Sequence, residues 1–178
     1  MALLAEEIVE EWLNRQGYFT IRGIAVGVHE IDLLAMKVCE NTIECRHIEV
    51  TASMRPMSYI SDLPKETRKI TGRSPKSPTQ RTSEELMVGI SEWIEKKYNL
   101  PKKNKLRQSL YPGKWSYELV VHKILHPEEL DLFRQAGIKV FTLTDIVIEL
   151  ARKGTIIGRA SGASLVDLVL LKADSLLE

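Results

Sequence analysis

The sequence has only two cysteines among its 178 residues, Cys39 and Cys45. Five residues separate them, and neither a C-x-x-C pattern nor a second cysteine pair is present. On paper, His29 and His47 would complete a four-ligand zinc site with these two thiols. The spacing favours the other interpretation, in which both cysteines stay reduced inside a cytoplasmic protein.

Long hydrophobic runs are also missing. The longest apolar stretches, "DIVIELA" and "SLVDLVLLKA", contain acids and are shorter than the roughly 20 residues that span a bilayer. The N-terminus lacks the charged, apolar and small-residue pattern of a secretory signal. These absences predict a soluble, cytoplasmic protein that has no membrane partner.

Two groups of common catalytic motifs are absent as well. No G-x-x-x-x-G-K-[ST] or G-x-G-x-x-G follows a predicted strand, and "GRASGAS" lies late, between helices. No nucleophile elbow is present, and the histidines have no evident catalytic partners. These absences argue against a GTPase, a dinucleotide enzyme and a serine or cysteine hydrolase.

The charged side chains are distributed unevenly along the chain. Residues 1–60 carry 5 basic and 9 acidic side chains, whereas residues 61–110 carry 12 basic and 6 acidic ones, a net charge of +6. A local excess of Lys and Arg points to a polyanionic partner. The alternative is a mobile, solvated insertion whose lysines keep it soluble. With 178 residues, 44% of them hydrophobic, the chain is expected to form one domain.

The order of predicted elements starts with a helix and three strands. Apolar residues at helical spacing in "ALLAEEIVEEWLNRQG" predict a helix ending near Gln16. Three strand-like segments follow, "YFTIRGIAV", "EIDLLAMKV" and "NTIECRHIEVTAS". Their short turns predict an antiparallel meander.

The second half alternates helices and strands. We expect a short helix over 61–70 capped by Asp62, then a mobile linker over 71–81, and then a helix that starts at a capping box of Thr82 and Glu85. Residues 100–114 are predicted to be a basic loop. The remaining predictions are a strand over 115–125, a helix over 126–137, a strand over 138–143, a helix capped by Thr144 and a terminal helix over 162–178. Together these elements predict an α/β fold with a mixed central sheet flanked by helices.

Two carboxylates interrupt strands that are otherwise apolar. Asp32 lies in "EIDLLA" and Glu49 in "HIEVT", with Glu49 and Thr51 on the same face of their strand. If these strands pair, Asp32 and Glu49 meet at one end of the sheet and repel each other, unless a hard cation such as Mg²⁺ compensates. On the first helix, Glu6 lies at the edge of the apolar stripe and can face the sheet; the alternative is that it only complements the helix dipole.

This pattern resembles the PD-(D/E)XK, or restriction-endonuclease-like, nuclease superfamily, and it is nearest to archaeal Holliday junction resolvases and Mrr-type nucleases. The resemblance covers residues 5–55 and 115–150 and implies an αβββαβ core within a single nuclease-like domain, 1–178. Residues 71–110 would be a basic insertion with a mobile linker, and 155–178 a C-terminal helical extension. The resemblance implies that Asp32 and Glu49 bind Mg²⁺, or Mn²⁺, and that Glu6 matches the helix acid of the resolvases.

The sequence departs from this superfamily at Thr51, where a catalytic lysine is expected. Threonine can orient a water molecule but carries no positive charge. The charge then comes from another element, with Lys65 as the first candidate, or the protein is a catalytically inactive relative that binds nucleic acid or protein. Further candidates for the charge are Arg55, Arg68 and Lys69. In a third reading, the chain is an unrelated α/β protein whose two acids are satisfied by backbone donors and water.

The resemblance also implies a reaction and partners. Asp32, Glu49 and the carbonyl of Val50 would hold the metal while a DNA phosphodiester is hydrolysed. Phosphate contacts are expected from basic residues of the insertion, namely Lys96, Lys97, Lys102, Lys103, Lys105 and Arg107. In the terminal helix, Val166 and Leu170 widen the apolar surface, which predicts a homodimer through that helix.

Overall fold

The chain folds into an α/β structure in which helices flank a five-stranded mixed sheet. The computed structural model describes residues 2–53, 55–151, 155–157, 166–167 and 169. The strands lie side by side in chain order: β1 Phe19–Val26, β2 His29–Cys39, β3 Thr42–Thr51, β4 Trp115–Val121 and β5 Lys139–Thr142. The first three strands are antiparallel, whereas β3, β4 and β5 run parallel.

The connections explain these directions. A tight turn at Gly27, whose φ is 67°, joins β1 to β2, because glycine adopts this left-handed conformation without steric cost. Parallel neighbours need longer crossovers that carry helices. The helices are α1 Ala2–Arg15, α2 Lys65–Thr71, α3 Ser83–Ile94, α4 Pro101–Leu110, α5 Glu128–Gln135 and α6 Leu143–Ala151. A π-helical turn, Glu95–Asn99, continues α3.

The sheet is covered on both faces. Beneath α1 and α6, one buried cluster contains Val9, Trp12, Leu13, Ile48, Val50, Val120, Ile146 and Leu150. On the opposite face, a second cluster contains Ile60, Ile90, Tyr98, Leu119, Val121, Phe133 and Ile138. Because successive strand residues point to opposite faces, Val120 joins the first cluster while its neighbours Leu119 and Val121 join the second.

The helix α4 is the largest departure from the sequence prediction, which made residues 100–114 a basic loop. Pro101 occupies the first helical turn, where proline is favoured, and ten residues continue as α-helix. The inward positions of this helix hold Lys103 and Arg107, which are 1% and 2% exposed. Since charged residues occupy the buried face, no apolar stripe marks the helix in the sequence.

Two predicted helix caps were wrong. Asp62 does not cap α2, which begins at Lys65 after Pro64; it pairs instead with Lys76, with 3.1 Å between Oδ1 and Nζ. At α6, the capping hydroxyl belongs to Thr142 and accepts a hydrogen bond from the backbone N of Asp145 at 3.0 Å, two residues earlier than predicted. The capping box of Thr82 and Glu85 at the start of α3 is confirmed.

The segment predicted to be a mobile linker, 71–81, is largely irregular and is tied to the core. Arg81 donates to the carbonyl of Ser61 at 3.1 Å, and its guanidinium lies 4.0 Å from the ring centroid of Tyr59. Ser77 is also buried.

The predicted terminal helix and its role in a homodimer fall mostly outside the described residues. Val166 is buried against the α1 and α6 cluster, and Val169 packs against it. The homodimer stays a prediction. Among the described helices, none combines the length and the apolar character needed to cross a bilayer.

Candidate active site

The candidate site is built around Glu49, which lies near the C-terminal end of β3, the central strand of the sheet. Its strand β3 pairs with β2 on one side and with β4 on the other, and Glu49 lies opposite Leu119 of β4. Its side chain is 0% exposed. Ile48 and Val50 point toward α1, so Glu49 points to the opposite face, where α4 and the π-helical turn lie.

Three donors surround the carboxylate of Glu49. Lys97, in the π-helical turn, places Nζ 2.5 Å from Oε2. Lys103, on α4, places Nζ 3.1 Å from Oε1, and Nε2 of His47 lies 3.1 Å from the same oxygen. Buried carboxylates need such partners, because burial without them costs several kcal/mol. The residues 95–110 therefore supply the cations that a buried glutamate requires.

Asp32 is the second acid of the site. Its Oδ2 accepts a hydrogen bond from the backbone N of Val50 at 2.7 Å. Burial and the negative charge of Glu49 raise the pKa of Asp32 to about 6, although Lys97 acts in the opposite direction. The structure thus brings Asp32 and Glu49 together at the point where the sequence pattern placed them.

Glu6 approaches the same site from α1. It is buried, and its pKa is raised by burial and by the charges of Asp32 and Glu30, while Arg22 opposes the shift. Glu6 therefore adds to the negative potential around Asp32. Within the described ranges, no group of three or more acidic, histidine or cysteine side chains forms a metal site by itself.

The two lysines of the site differ in their electrostatics. Burial alone would lower the pKa of Lys97, but the charges of Glu49 and Asp32 outweigh it and raise the pKa. For Lys103, burial dominates over the attraction of Glu49 and lowers the pKa. Lys97 is accordingly the cation that remains firmly charged at neutral pH, and it is also the more solvent-exposed of the two.

A buried arginine fixes the orientation of His47. Arg107 places Nη1 2.6 Å from Nδ1 of His47 and donates to the carbonyl of Tyr98 at 2.8 Å. Burial, followed by the charges of Arg107 and the two site lysines, lowers the pKa of His47 well below its usual value. Because arginine can only donate, Nδ1 of this neutral ring accepts, and the proton on Nε2 points to Glu49.

Thr51 stands where the superfamily has its lysine, and Lys65 was the first candidate to supply the missing charge. Both line a cleft beside the site, and among the described residues the ion pairs of Glu49 and the hydrogen bond of Asp32 do not include Lys65. The other candidates for the missing charge, Arg55, Arg68 and Lys69, also make no ion pair with Asp32 or Glu49 within the described ranges. Lys97 and Lys103 supply the charge instead.

The predicted phosphate-contacting residues fall into two groups. Lys103 and Arg107 are buried and contact Glu49 and His47, contrary to the prediction, whereas Lys97 pairs with Glu49 and keeps a partly exposed side chain. Lys96, Lys102 and Lys105 are exposed. No spacing rule in the sequence links residues 97 and 103 to Glu49, because their positions depend on the π-helical turn and on the break at Leu100 before α4.

The two acids of the site are ligands of the kind that a hard divalent cation takes. Mg²⁺ is commonly held by one or two carboxylates with water completing its shell, and Asp32 and Glu49 provide two adjacent carboxylates. Lys97 contacts Oε2 of Glu49, so its ammonium group and a metal ion would compete for that oxygen. A metal at this site is therefore compatible with the acids but opposed by a resident cation.

No family model matches the chain. No curated protein matches it either. Among solved structures, the crystal structure of AF1548, a protein of unknown function, is similar with a TM-score of 0.46 and 13% identity, over 98% of this chain and 67% of that chain. A function for this chain therefore has to follow from the geometry of its site.

Proposed function

We propose that the chain is a Mg²⁺-dependent nuclease-like protein that hydrolyses phosphodiester bonds in DNA, with Asp32, Glu49 and Lys97 at its active centre. One observation carries the proposal: Nζ of Lys97 lies 2.5 Å from Oε2 of Glu49. The superfamily pattern requires a cation next to a metal-binding carboxylate. Thr51 cannot be that cation, because its side chain is neutral. In this protein a helical turn brings the cation from elsewhere in the chain.

The topology is compatible with a restriction-endonuclease-like core. A helix and an antiparallel three-stranded unit, α1 and β1 to β3, are followed by β4, α5 and β5 in parallel. The αβββαβ arrangement that the sequence resembles also has a helix between its third and fourth strands, and here the segment from α2 to α4 takes that place. This segment joins β3 to β4 and carries both site lysines, and α5 and β5 follow β4.

Each residue has a distinct role in this proposal. Asp32 and Glu49 would hold Mg²⁺, which when bound polarises a phosphate oxygen and lowers the pKa of a bound water. Lys97 would offset the negative charge that develops on the phosphate oxygens in the transition state. Thr51, beyond Glu49 on β3, can position water through its hydroxyl. His47 and Lys103 hold Glu49 in a fixed orientation from behind.

A second function, nucleic-acid binding without hydrolysis, is favoured by the donors around Glu49. Lys97, Lys103 and His47 together occupy both carboxylate oxygens. A glutamate satisfied in this way has less need of a metal ion. In that case the site is a structural ion-pair network, and the insertion serves only to bind.

A cleavage assay on plasmid, single-stranded and four-way-junction DNA, with Mg²⁺ or Mn²⁺, separates the two functions. We expect metal-dependent cleavage that Glu49→Gln abolishes and that Lys97→Met slows roughly 100-fold or more, as for loss of a charge-stabilising group. Lys37→Met is the matched control, because Lys37 pairs with Glu44 in the β2–β3 register, at the other end of β3 from Glu49, and should leave the rate unchanged. Binding without cleavage in either metal would reject hydrolysis in favour of the second function.

A further inference from the structure

A basic cleft of about 780 Å³ opens beside the candidate site. It reaches from Thr51 at the end of β3 to α2 on one side and to α3 with its π-helical turn on the other. The residues that matter to its chemistry are Thr51, Lys65, Arg68, Trp93, Lys96 and Lys97. Since Lys97 belongs both to this cleft and to the ion pair with Glu49, a ligand in the cleft lies next to the proposed reaction centre.

Three cations of the cleft form no ion pair among the described residues. Of its charged residues, Lys76 pairs with Asp62 and Lys97 pairs with Glu49. In the part of the chain that the structure describes, Lys65, Arg68 and Lys96 form no ion pair, although Glu92 and Glu95 also line the cleft. Once Lys97 is set against Glu49, four basic residues face three acidic ones in the cleft, and the remaining excess of positive charge favours an anionic ligand.

Arg68 gives a more specific indication. Its Nε is buried and has no hydrogen-bond partner among the described residues. A buried donor without a partner is unfavourable, by roughly 1 to 3 kcal/mol, unless a ligand or water accepts its hydrogen. A phosphate oxygen is a suitable acceptor, because arginine binds phosphate through several parallel N–H groups.

Trp93 provides an aromatic wall in the same cleft. Its ring is held edge-on by Phe133 and Tyr98, with centroids 5.1 and 5.7 Å away. The other two tryptophans, Trp12 and Trp115, are only 4% and 7% exposed, whereas Trp93 is half-buried. A fixed aromatic surface beside cations is the combination that binds single-stranded nucleic acids, because unpaired bases stack on the ring while phosphates meet the cations.

The size of the cleft favours an unpaired strand over a duplex. Pockets of about 300 to 1,000 Å³ enclose a single small ligand, and this one lies within that range. We propose that the cleft binds an unpaired polynucleotide strand, with phosphates on Lys65, Arg68 and Lys96 and a base against Trp93. A phosphodiester of the bound strand would then lie next to Lys97 and Glu49. This inference rests on the proposed function and adds its substrate class.

Binding is best measured without metal, so that hydrolysis plays no part. The probes are oligothymidylate and oligouridylate of roughly ten nucleotides and a DNA duplex of equal length. Fluorescence anisotropy, recorded in the presence of chelator at increasing salt concentration, measures how tightly each probe binds. We expect both single strands to bind more tightly than the duplex. Lys65→Gln, Arg68→Gln and Lys96→Gln should each reduce the slope of log K against log salt by about 0.7, the value for one lost phosphate contact on a single strand.

Two controls make the result specific. Lys69→Gln removes the same charge from α2, but Lys69 pairs with Glu66 and does not line the cleft, so its slope should stay that of the wild type. The single strands should also quench tryptophan fluorescence, and Trp93→Phe should remove that quenching because the other two tryptophans are buried. Thermal unfolding of every variant checks that the fold is intact.

The outcomes separate the cleft from the chemistry. Equal affinity for duplex and single strands, or an equal effect of Lys69→Gln, overturns the cleft proposal even if the protein cleaves DNA. Selective binding of the single strands that depends on Lys65, Arg68 and Lys96 supports it even if no cleavage occurs. A preference for oligouridylate over oligothymidylate would identify RNA as the strand that the cleft accepts.

Discussion

Asp32 and Glu49 lie in different electrostatic environments although they are neighbours. Glu49 contacts Lys97, Lys103 and His47, whereas Asp32 accepts a backbone hydrogen bond from Val50. The cations thus gather on one acid and leave the other partly uncompensated, with its pKa raised to about 6 by burial and by Glu49. This asymmetry makes Asp32 the acid with more to gain from a bound cation.

The first prediction is that Asp32→Asn stabilises the metal-free protein at neutral pH. The folded pKa of Asp32 is about 6, above the unfolded value of about 4. The native state therefore holds this proton more tightly, and its stability falls as the pH rises from about 4 to about 6. A two-unit shift corresponds to about 3 kcal/mol, and solvent contact reduces the expected gain to about 1 to 2 kcal/mol.

Urea unfolding in chelator between pH 4 and pH 8 measures this effect. The difference in the free energy of unfolding between Asp32→Asn and the wild type should be constant above about pH 6 and should vanish toward pH 4. Because the other titrating groups are the same in both proteins, their contributions to the free energy of unfolding cancel in this difference. A difference that is independent of pH would show that neither burial nor the charge of Glu49 raises the pKa of Asp32 in the folded protein.

At the scale of elements, α4 shows that a helix can be fixed in place by buried charge. Its inward residues Lys103 and Arg107 make ion-pair and hydrogen-bond contacts to Glu49 and His47 on β3. Arg107 also donates to the carbonyl of Tyr98, the side chain of Asn104 and the hydroxyl of Tyr117. Such contacts are directional, so they position the helix more narrowly than apolar packing does.

The second prediction tests this anchoring. Arg107→Met leaves Nδ1 of His47 and the carbonyl of Tyr98 buried without their donor, so we expect a loss of about 2 to 4 kcal/mol in the free energy of unfolding. Lys105→Met changes a residue of the same helix to the same side chain at an exposed position and should change stability by less than about 0.5 kcal/mol. Equal effects would mean that Arg107 does not anchor α4.

Some helices and strands could be predicted from the sequence, whereas α4 could not. The buried stripe of α1 and the apolar strands β1 to β3 follow from periodicity, and the structure confirms them. Helix α4 was missed because Lys103 and Arg107 are its core-facing residues, and a pattern based on apolar spacing does not register them. Their partners, Glu49 and His47, are more than 50 residues away in the chain, so only the folded structure reveals why they are buried.

For the whole molecule, the uneven charge along the chain is explained partly by ion pairs within the fold, and a charged partner is not the only explanation. Residues 1–60 carry an excess of acids and residues 61–110 a net charge of +6. In the fold, Lys97 and Lys103 from the basic segment neutralise Glu49 from the acidic one. The basic residues that form no such internal pair, among them Lys65, Arg68 and Lys96, remain available to a partner. The charge pattern therefore predicts fewer external contacts than a count of lysines suggests.

The third prediction concerns the stability of the whole protein in the presence of Mg²⁺. A ligand that binds only the native state adds about 2.7 kcal/mol when its concentration is 100 times Kd, which for a chain of this size raises Tm by roughly 5 to 10 °C. Asp32→Asn should lose most of this shift because it removes one carboxylate ligand. Lys97→Met should increase the shift, because its ammonium group no longer competes with the metal for Oε2 of Glu49.

Thermal unfolding during a Mg²⁺ titration checks this prediction, with each variant compared with itself in chelator. The Lys97→Met variant separates metal binding from hydrolysis. It should bind Mg²⁺ more tightly than the wild type, but it lacks the positive charge that hydrolysis needs. A smaller Tm shift in Lys97→Met than in the wild type would make Lys97 a support of the metal site. No shift in any of these proteins would remove Mg²⁺ from the proposal and leave Glu49, Lys97 and Lys103 as an ion-pair network that holds the insertion against the sheet.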